Sequence, residues 1–369
     1  MTYLAGVRRE LVALHGRAQL REVRAQKPDG TLDFASNDYL GLARDPRVLE
    51  AQRASPRAGS GGSRLLSGAH REHSQLEDEL AAWTGRERAL LFSSGYLAAL
   101  GAIVTLAPFV DIAYSDVLVH ACAIDALRLT KLRRRIVPHN ELPRRDDRDG
   151  AALLVTESLF GMDGSVAPLD ALVSRLHPGD VLVVDDAHAL GVRGAHGAGL
   201  AAAFADERVV VIGTLSKALG TAGGFVAGPA DAIALLASVA RTFVFDTAPA
   251  PAVVAAARAS LAIVRSAEGD ALRSRLNGNA GRLRSGLRRH DCAVADGDGA
   301  IVAVMIGSER EALSCAHELE ARGIFAPAIR PPTVPPGTSR LRLVVRADHR
   351  EDEIDALVEA LAALRMQPA

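Results

Sequence analysis

Only three of the 43 basic residues are lysines, Lys27, Lys131 and Lys217, so each is a candidate for amine chemistry in a chain that otherwise carries its positive charge on arginine. A guanidinium, with a pKa above ~12, does not act as an amine nucleophile. Lys217 lies in the turn Gly213-Thr214-Leu215-Ser216-Lys217-Ala218-Leu219-Gly220, directly after the apolar run Val209-Val210-Val211-Ile212. A second apolar run, Val181-Leu182-Val183-Val184, delivers Asp185, Asp186 and His188. Open α/β sheets place ligands at the C-terminal ends of such strands. There an Asp can keep a pyridinium-type ring nitrogen protonated, and a Lys in a Gly-bracketed turn can form a Schiff base with an aldehyde. Each half alone also reads as a helix-capping Asp or a surface Lys; the two in order, in a lysine-poor chain, favour the chemical reading.

Phe92-Ser93-Ser94-Gly95-Tyr96 is a strand end running into a helix start, a place where free N–H groups bind phosphate and where Ser also serves as an ordinary N-cap. His120 follows another apolar run, where an imidazole stacks on an aromatic ring or simply packs. The Gly-rich stretch Gly59-Ser60-Gly61-Gly62-Ser63-Arg64 has neither a preceding apolar strand nor a GK[ST] ending, so it is expected to be a flexible loop near substrate, not a nucleotide fingerprint. Asp185 and Asp186 point to opposite sides of a continuing strand, which argues against a metal site. Lys131, Arg133, Arg134 and Arg135 read as a solvated basic face, with the phosphates of a bulky substrate as the functional alternative.

These groups need a scaffold, and 369 residues, 49% hydrophobic and 24% charged, are enough for one large or two medium domains. Disorder and collagen are excluded. A net charge of −1 gives no global field for nucleic acid or anionic membrane. No apolar run approaches the ~20 residues of a membrane span, the N-terminus has no apolar signal core, and Cys122, Cys292 and Cys315 form no CxxC. A cytoplasmic protein with buried free thiols is expected. Apolar runs at 89–92, 117–119, 153–155, 181–184, 209–212 and 225–227 suit strands buried on both faces of a mainly parallel sheet flanked by helices. The expected division is a helical arm over 1–35, with helical spacing over 4–24, a large α/β domain over 36–262 and a smaller α+β domain over 263–369. One long helix from 252 to about 289 leads into that last domain, which holds strands at 300–306 and 341–345 and helices at 309–322 and from 351.

In this order the pieces resemble the α-oxoamine synthases, a family of fold type I pyridoxal-phosphate transferases. The resemblance runs from about residue 30 to 350. It rests on Ser36-Asn37-Asp38-Tyr39-Leu40-Gly41-Leu42, on 59–68, on Ser94-Gly95-Tyr96, on Met162-Asp163-Gly164 with Ala167-Pro168-Leu169, on Asp185 to His188, and on Thr214 to Gly220. It implies pyridoxal 5'-phosphate as cofactor, joined to Lys217, with Asp185 on the ring nitrogen and His120 stacked on the ring. His188 would stand near the phenolic oxygen, and Thr214 with Ser94, Gly95 and Tyr96 near the phosphate. Asn37 and Arg340 would bind substrate, Arg340 through the amino acid's carboxylate, and Thr247 would reach the phosphate across a homodimer interface.

The segment 329–343 looks most like the family's biotin-pathway branch, which condenses L-alanine with a pimeloyl thioester carried by CoA or acyl carrier protein. Rival readings are a sister activity on glycine or serine and a non-catalytic dimer partner; an NAD-binding protein would need a G-x-G-x-x-G that is not present. Two positions depart from the family pattern. Gly161 stands where relatives generally have Ser, and Ala99 where Asn is usual, so altered cofactor affinity is expected from the lost hydroxyl and amide.

Overall fold

Alternate residues of the buried strands enter two different cores, which is why their sequences are apolar at consecutive positions. Leu154, Leu182, Val184, Val209 and Val211 pack on one face of a central sheet. Leu153, Val155, Val183, Val210 and Ile212 pack on the other. The protein is described by a computed structural model over residues 2–21, 30–146 and 149–365.

In chain order, α1 (Tyr3–Gly16) is followed by β1 (Leu32–Asp33), α2 (Pro46–Arg53), α3 (Arg71–Thr84), β2 (Arg88–Phe92), α4 (Gly95–Leu106), β3 (Ile112–Asp116), α5 (Ala121–Leu129), β4 (Arg133–Val137) and β5 (Ala152–Glu157). Then come α6 (Leu169–Ser174), β6 (Val181–Asp185), β7 (Val209–Thr214), β8 (Gly224–Gly228), α7 (Ala230–Val239), α8 (Arg241–Val244) and α9 (Pro251–Val264). The remainder is α10 (Ala267–Arg289), β9 (Ile301–Gly307), α11 (Glu309–Ala321), β10 (Ile324–Phe325), β11 (Ala328–Ile329), β12 (Ser339–Val344) and α12 (Glu351–Arg365).

The central sheet has seven strands in the order β2-β8-β7-β6-β5-β3-β4, and only β8 runs against its neighbours. A separate antiparallel sheet, β11-β12-β9, packs with α10, α11 and α12 around a third core that includes Leu283, Val302, Leu341 and Leu357. Phe34 belongs to this third core and accepts from Val344 N–H of β12, and β1 pairs with β10 in a two-stranded sheet, so the residues before the 36–42 motif are anchored on the C-terminal elements. No helix among the described residues is long and apolar enough to cross a membrane.

Several expected boundaries move. The strand expected at 117–119 is Ile112–Asp116, and 117–119 forms the turn that leads to His120. The helix expected from 252 to 289 is two, α9 and α10, broken where the Ser266 hydroxyl caps α10 by accepting from Gly269 N–H. α1 ends at Gly16, before the expected 24, and Val23 and Arg24 lie outside the described residues. The basic run at 133–135 forms the exposed edge strand β4, where charge blunts pairing with another chain.

Two glycines bring the sheet against α4. A Cβ on Gly224 would lie 2.3 Å from Gly95 N and 2.4 Å from its Cα, and one on Gly95 would lie 3.2 Å from the Thr214 Cβ. Gly224→Ala therefore must displace the first turn of α4. The expected cost is about 1–3 kcal/mol, read from denaturant unfolding.

Candidate active site

Four strand ends and one turn deliver the site. Glu157 and Asp185 finish β5 and β6 in register with one another, both on the side of the sheet that faces α4 and α5. Asp186 turns to the opposite side, where it is fully buried and accepts from the Ser158 hydroxyl and from Leu200 and Ala201 N–H at 3.2 Å. Burial is the main reason its carboxyl is pushed up to about 6. The expected divergence of Asp185 and Asp186 thus holds.

Lys217, in the turn after β7, has its amine pushed down to about 8, chiefly by burial, with Asp185 and Glu157 acting in the opposite sense. His120 caps α5: its Nδ1 accepts from Cys122 N–H at 3.3 Å, which leaves the ring proton on Nε2. Burial lowers its pKa, against the pull of Asp185. The His120 ring meets Tyr96 edge-on, with centroids 6.3 Å apart.

At the start of α4 the Ser94 hydroxyl caps Leu97 N–H at 3.2 Å, while the first-turn N–H groups of Gly95 and Tyr96 have no acceptor within the helix. Thr214, expected at the phosphate, spends its hydroxyl internally, at 2.8 Å from Ser216 Oγ and 3.1 Å from Gly223 O. Ser216, whose hydroxyl meets that of Thr214, is itself exposed. These groups fit pyridoxal 5'-phosphate: an amine for the aldehyde, a carboxylate for the ring nitrogen, an imidazole face for the ring and a positive helix end for the phosphate.

His188 is buried and its pKa lies well below the usual imidazole value, first because of burial and then because of Lys217 and Arg342. The Tyr39 hydroxyl, pushed up to about 12 mainly by burial, keeps its proton and stands 2.6 Å from His188 Nδ1. Gly161 gains a different meaning here. A Cβ at Gly161 would sit 2.3 Å from His188 Nε2, so glycine makes room for the imidazole as well as removing a hydroxyl. Ala99, the other departure, lines a small cavity with His120, Glu157 and Asp185.

Two arginines of β12, the expected Arg340 and also Arg342, approach the site. Arg340 is held by Thr338 and lies 3.6 Å from Asp163. Arg342, two residues on and on the same strand face, is the guanidinium beside Lys217 and His188. It donates to Gly161 O and, at 3.0 Å, to Asn37 Oδ1, and among the described residues no carboxylate pairs with it, although it is only 6% exposed. A buried, unpaired guanidinium is built for an external anion. This contact sets Asn37 beside Arg342. Thr247, expected to act across a homodimer interface, is exposed on the loop after α8, and its neighbour Asp246 accepts from Ser93 of the same chain.

The expected flexible loop is pinned. Arg64 makes a bidentate pair with Glu77 at 2.8 and 2.9 Å, Ser60 donates to Pro249 O at 2.7 Å, and Ala248 N–H donates to Gly62 O at 3.0 Å. Sequence reasoning missed Arg342, Glu157, Tyr39 and Ser216 as separate functional groups. Strand alternation puts Arg342 on the face of Arg340, and a shared register puts Glu157 beside Asp185, so signals for both were present.

The turn 160–165 is braced from behind. His139 Nδ1 lies 3.1 Å from Asp116 Oδ1, its Nε2 lies 2.8 Å from Ser165 Oγ, and Ser165 donates to Asp163 at 2.7 Å. The hydrogen bond to Asp116 raises the His139 pKa above its ordinary 6.5. The stabilisation is complete below that ordinary value and is lost as pH rises through the raised one. His139→Gln should therefore lower the melting temperature clearly at about pH 6 and far less at about pH 9.

Residues 29–361 match the family described as aminotransferase class I and II. The 8-amino-7-oxononanoate synthases of Burkholderia mallei strain SAVP1 and Burkholderia pseudomallei strain 668 are each 44% identical over 345 residues, 89% of this chain and 88% of theirs. Among solved structures, a serine palmitoyltransferase variant from S. paucimobilis, described with a bound PLP-myriocin aldimine, superposes with a TM-score of 0.87 at 28% identity, covering 98% of both chains. The 8-amino-7-oxononanoate synthase of Francisella tularensis gives a TM-score of 0.78 at 26% identity, covering 92% of this chain and 98% of that one.

Proposed function

The chain belongs to the aminotransferase class I and II family, and from that premise we infer its reaction: the pyridoxal 5'-phosphate-dependent decarboxylative condensation of L-alanine with a pimeloyl thioester in biotin biosynthesis. This is the activity named by its 44% identical relatives. It is a fold type I acyltransferase of the α-oxoamine synthase kind, with pyridoxal 5'-phosphate as cofactor. The observation that best supports an amino-acid substrate is the unpaired Arg342 guanidinium beside the Lys217 amine.

When bound, pyridoxal 5'-phosphate supplies an aldehyde for amines and a protonated ring that draws electrons from the amino acid's Cα. Lys217 would hold it through its amine, the Asp185 carboxylate would pair with its ring nitrogen, and the α4 N-terminus with Ser216 would receive its phosphate. Arg342, fixed by Asn37 and Gly161 O, binds the carboxylate of alanine. Lys217, released as a neutral amine, takes the Cα proton at Nζ. Carbon then attacks the thioester carbonyl, whose developing negative oxygen accepts from His120 Nε2–H. The thiolate leaves and is protonated by water, CO2 is lost from the carboxylate that Arg342 held, and Lys217 returns its proton to carbon. His188, kept neutral by burial and oriented by Tyr39, donates from Nε2.

The acyl carrier is CoA or acyl carrier protein. The active unit is a homodimer, to which the exposed Phe245, Thr247 and Tyr96 offer contact surface, with Thr247 reaching the phosphate held by a second copy. The domain division at about residue 262 belongs to the same proposal.

Lys217→Ala should abolish turnover with pimeloyl-CoA. Arg342→Ala should raise the KM for L-alanine about 10²-fold, as loss of one partner of a buried charge pair does, while Arg340→Ala should change it less than about tenfold. Steady-state kinetics with alanine, glycine and serine tests both points: a larger effect at Arg340 would return the carboxylate role to that residue, and preference for glycine would indicate the sister activity.

A further inference from the structure

Glu157 has no part in the mechanism above, yet it stands inside the charge cluster. It ends β5 opposite Asp185 in the register of β6, and it is only 5% exposed. Gly161 N–H donates to its Oε2 at 3.2 Å. Glu157, Asp185 and His120 line one enclosed cavity of about 10 Å³, room for no more than a single water. Two carboxylates therefore stand at registered ends of adjacent strands, Glu157 buried and Asp185 partly buried beside it. Such a pair sheds one of its two charges by keeping a proton.

We propose that Glu157 is the proton-holding member of a Glu157–Asp185 pair: it stays neutral so that Asp185 carries the single negative charge towards the cofactor ring, and it thereby keeps Lys217 an amine. Glu157 is a positioning residue in this role. It transfers no proton to substrate; the proton it holds leaves to solvent only at alkaline pH. The charged and titratable groups around it come from every neighbouring element: Asp185 from β6, Lys217 from the turn after β7, His120 and Cys122 from the start of α5, and Tyr39 from the 36–42 segment. Burial first, then Asp185, pushes the Glu157 carboxyl up to about 8, against the opposing pull of Lys217. An ionised Glu157 would raise the Lys217 pKa in turn and convert the base to an ammonium. The hydrogen bonds of Arg342 go to Asn37, Gly161 O and Tyr39, and none goes to either carboxylate.

The proposal rests on Lys217 as the base, but its test needs no turnover. Infrared difference spectra of the full-length, cofactor-loaded protein without substrate would be recorded across about pH 5.5 to 10, the window in which a raised carboxyl titrates. Wild type should show the carbonyl stretch of a buried protonated carboxylic acid at neutral pH, fading on the alkaline side, and Glu157→Gln should lack it. Asp185→Asn, which removes the neighbouring charge, should keep the band and move its disappearance down by about one pH unit or more. The Asp185→Asn arm stands even if Glu157→Gln does not fold. Absence of the band in wild type at neutral pH, its persistence in Glu157→Gln, or an unmoved midpoint in Asp185→Asn would each overturn the proposal. Preference for glycine over alanine would overturn the substrate reading and leave this one standing.

Discussion

The registered ends of β5, β6 and β7 are the constraint on which the rest of the structure depends. Parallel pairing sets Glu157 beside Asp185, and Asp185 beside Ile212, so that the turn after β7 brings Lys217 to the same place. A slip of one residue would send every side chain of the slipped strand to the other face. The continuous apolar sequences of these strands, buried on both sides, hold the sheet, and α4 and α5 then have one face to cover. That face carries the carboxylates, the helix terminus and the imidazole together.

Around this centre, the turn 160–165 acts as a junction. The backbone of Gly161 donates to Glu157 and accepts from Arg342, while the space left by its missing side chain receives His188. The two arginines of β12 grip this turn differently: Arg342 through the Gly161 carbonyl, Arg340 through Asp163. His139 and Ser165 brace it from the sheet edge. A neutral group and a charged group are thus linked through main chain, whose geometry does not alter with pH.

Much of the fold was legible because consecutive apolar residues and Gly-punctuated turns mark buried parallel strands, and because Lys217 was conspicuous among arginines. The strand at 112–116 was misplaced onto 117–119: its sequence, Ile-Ala-Tyr-Ser-Asp, hides two polar side chains that find partners inside the protein, Ser115 on Asp116 O and Tyr114 on Asp149. The resemblance points to Arg340 alone; only the third dimension puts Asp163 beside it and Lys217 beside Arg342, two residues on along the same strand face. Gly161 read as a deletion. Its positive use needed the position of a ring from residue 188. The 59–68 loop read as flexible because glycine dominates it, whereas its rigidity comes from contacts with residues 77 and 248–249.

The pairing of Leu32 with Ile324, and the bond from Arg342 to Asn37, make the site a meeting of the two ends of the chain. During synthesis the strands that hold Lys217 and Asp185 emerge well before the residue that fixes Asn37. Contacts so distant in sequence carry a loop-closure cost that grows slowly with length but delays folding strongly. The central sheet can therefore form while the site is still open on one side, and the substrate-facing groups are completed last, when β12 joins. A nascent chain of this protein is a scaffold first and a catalyst only once its final quarter has been made.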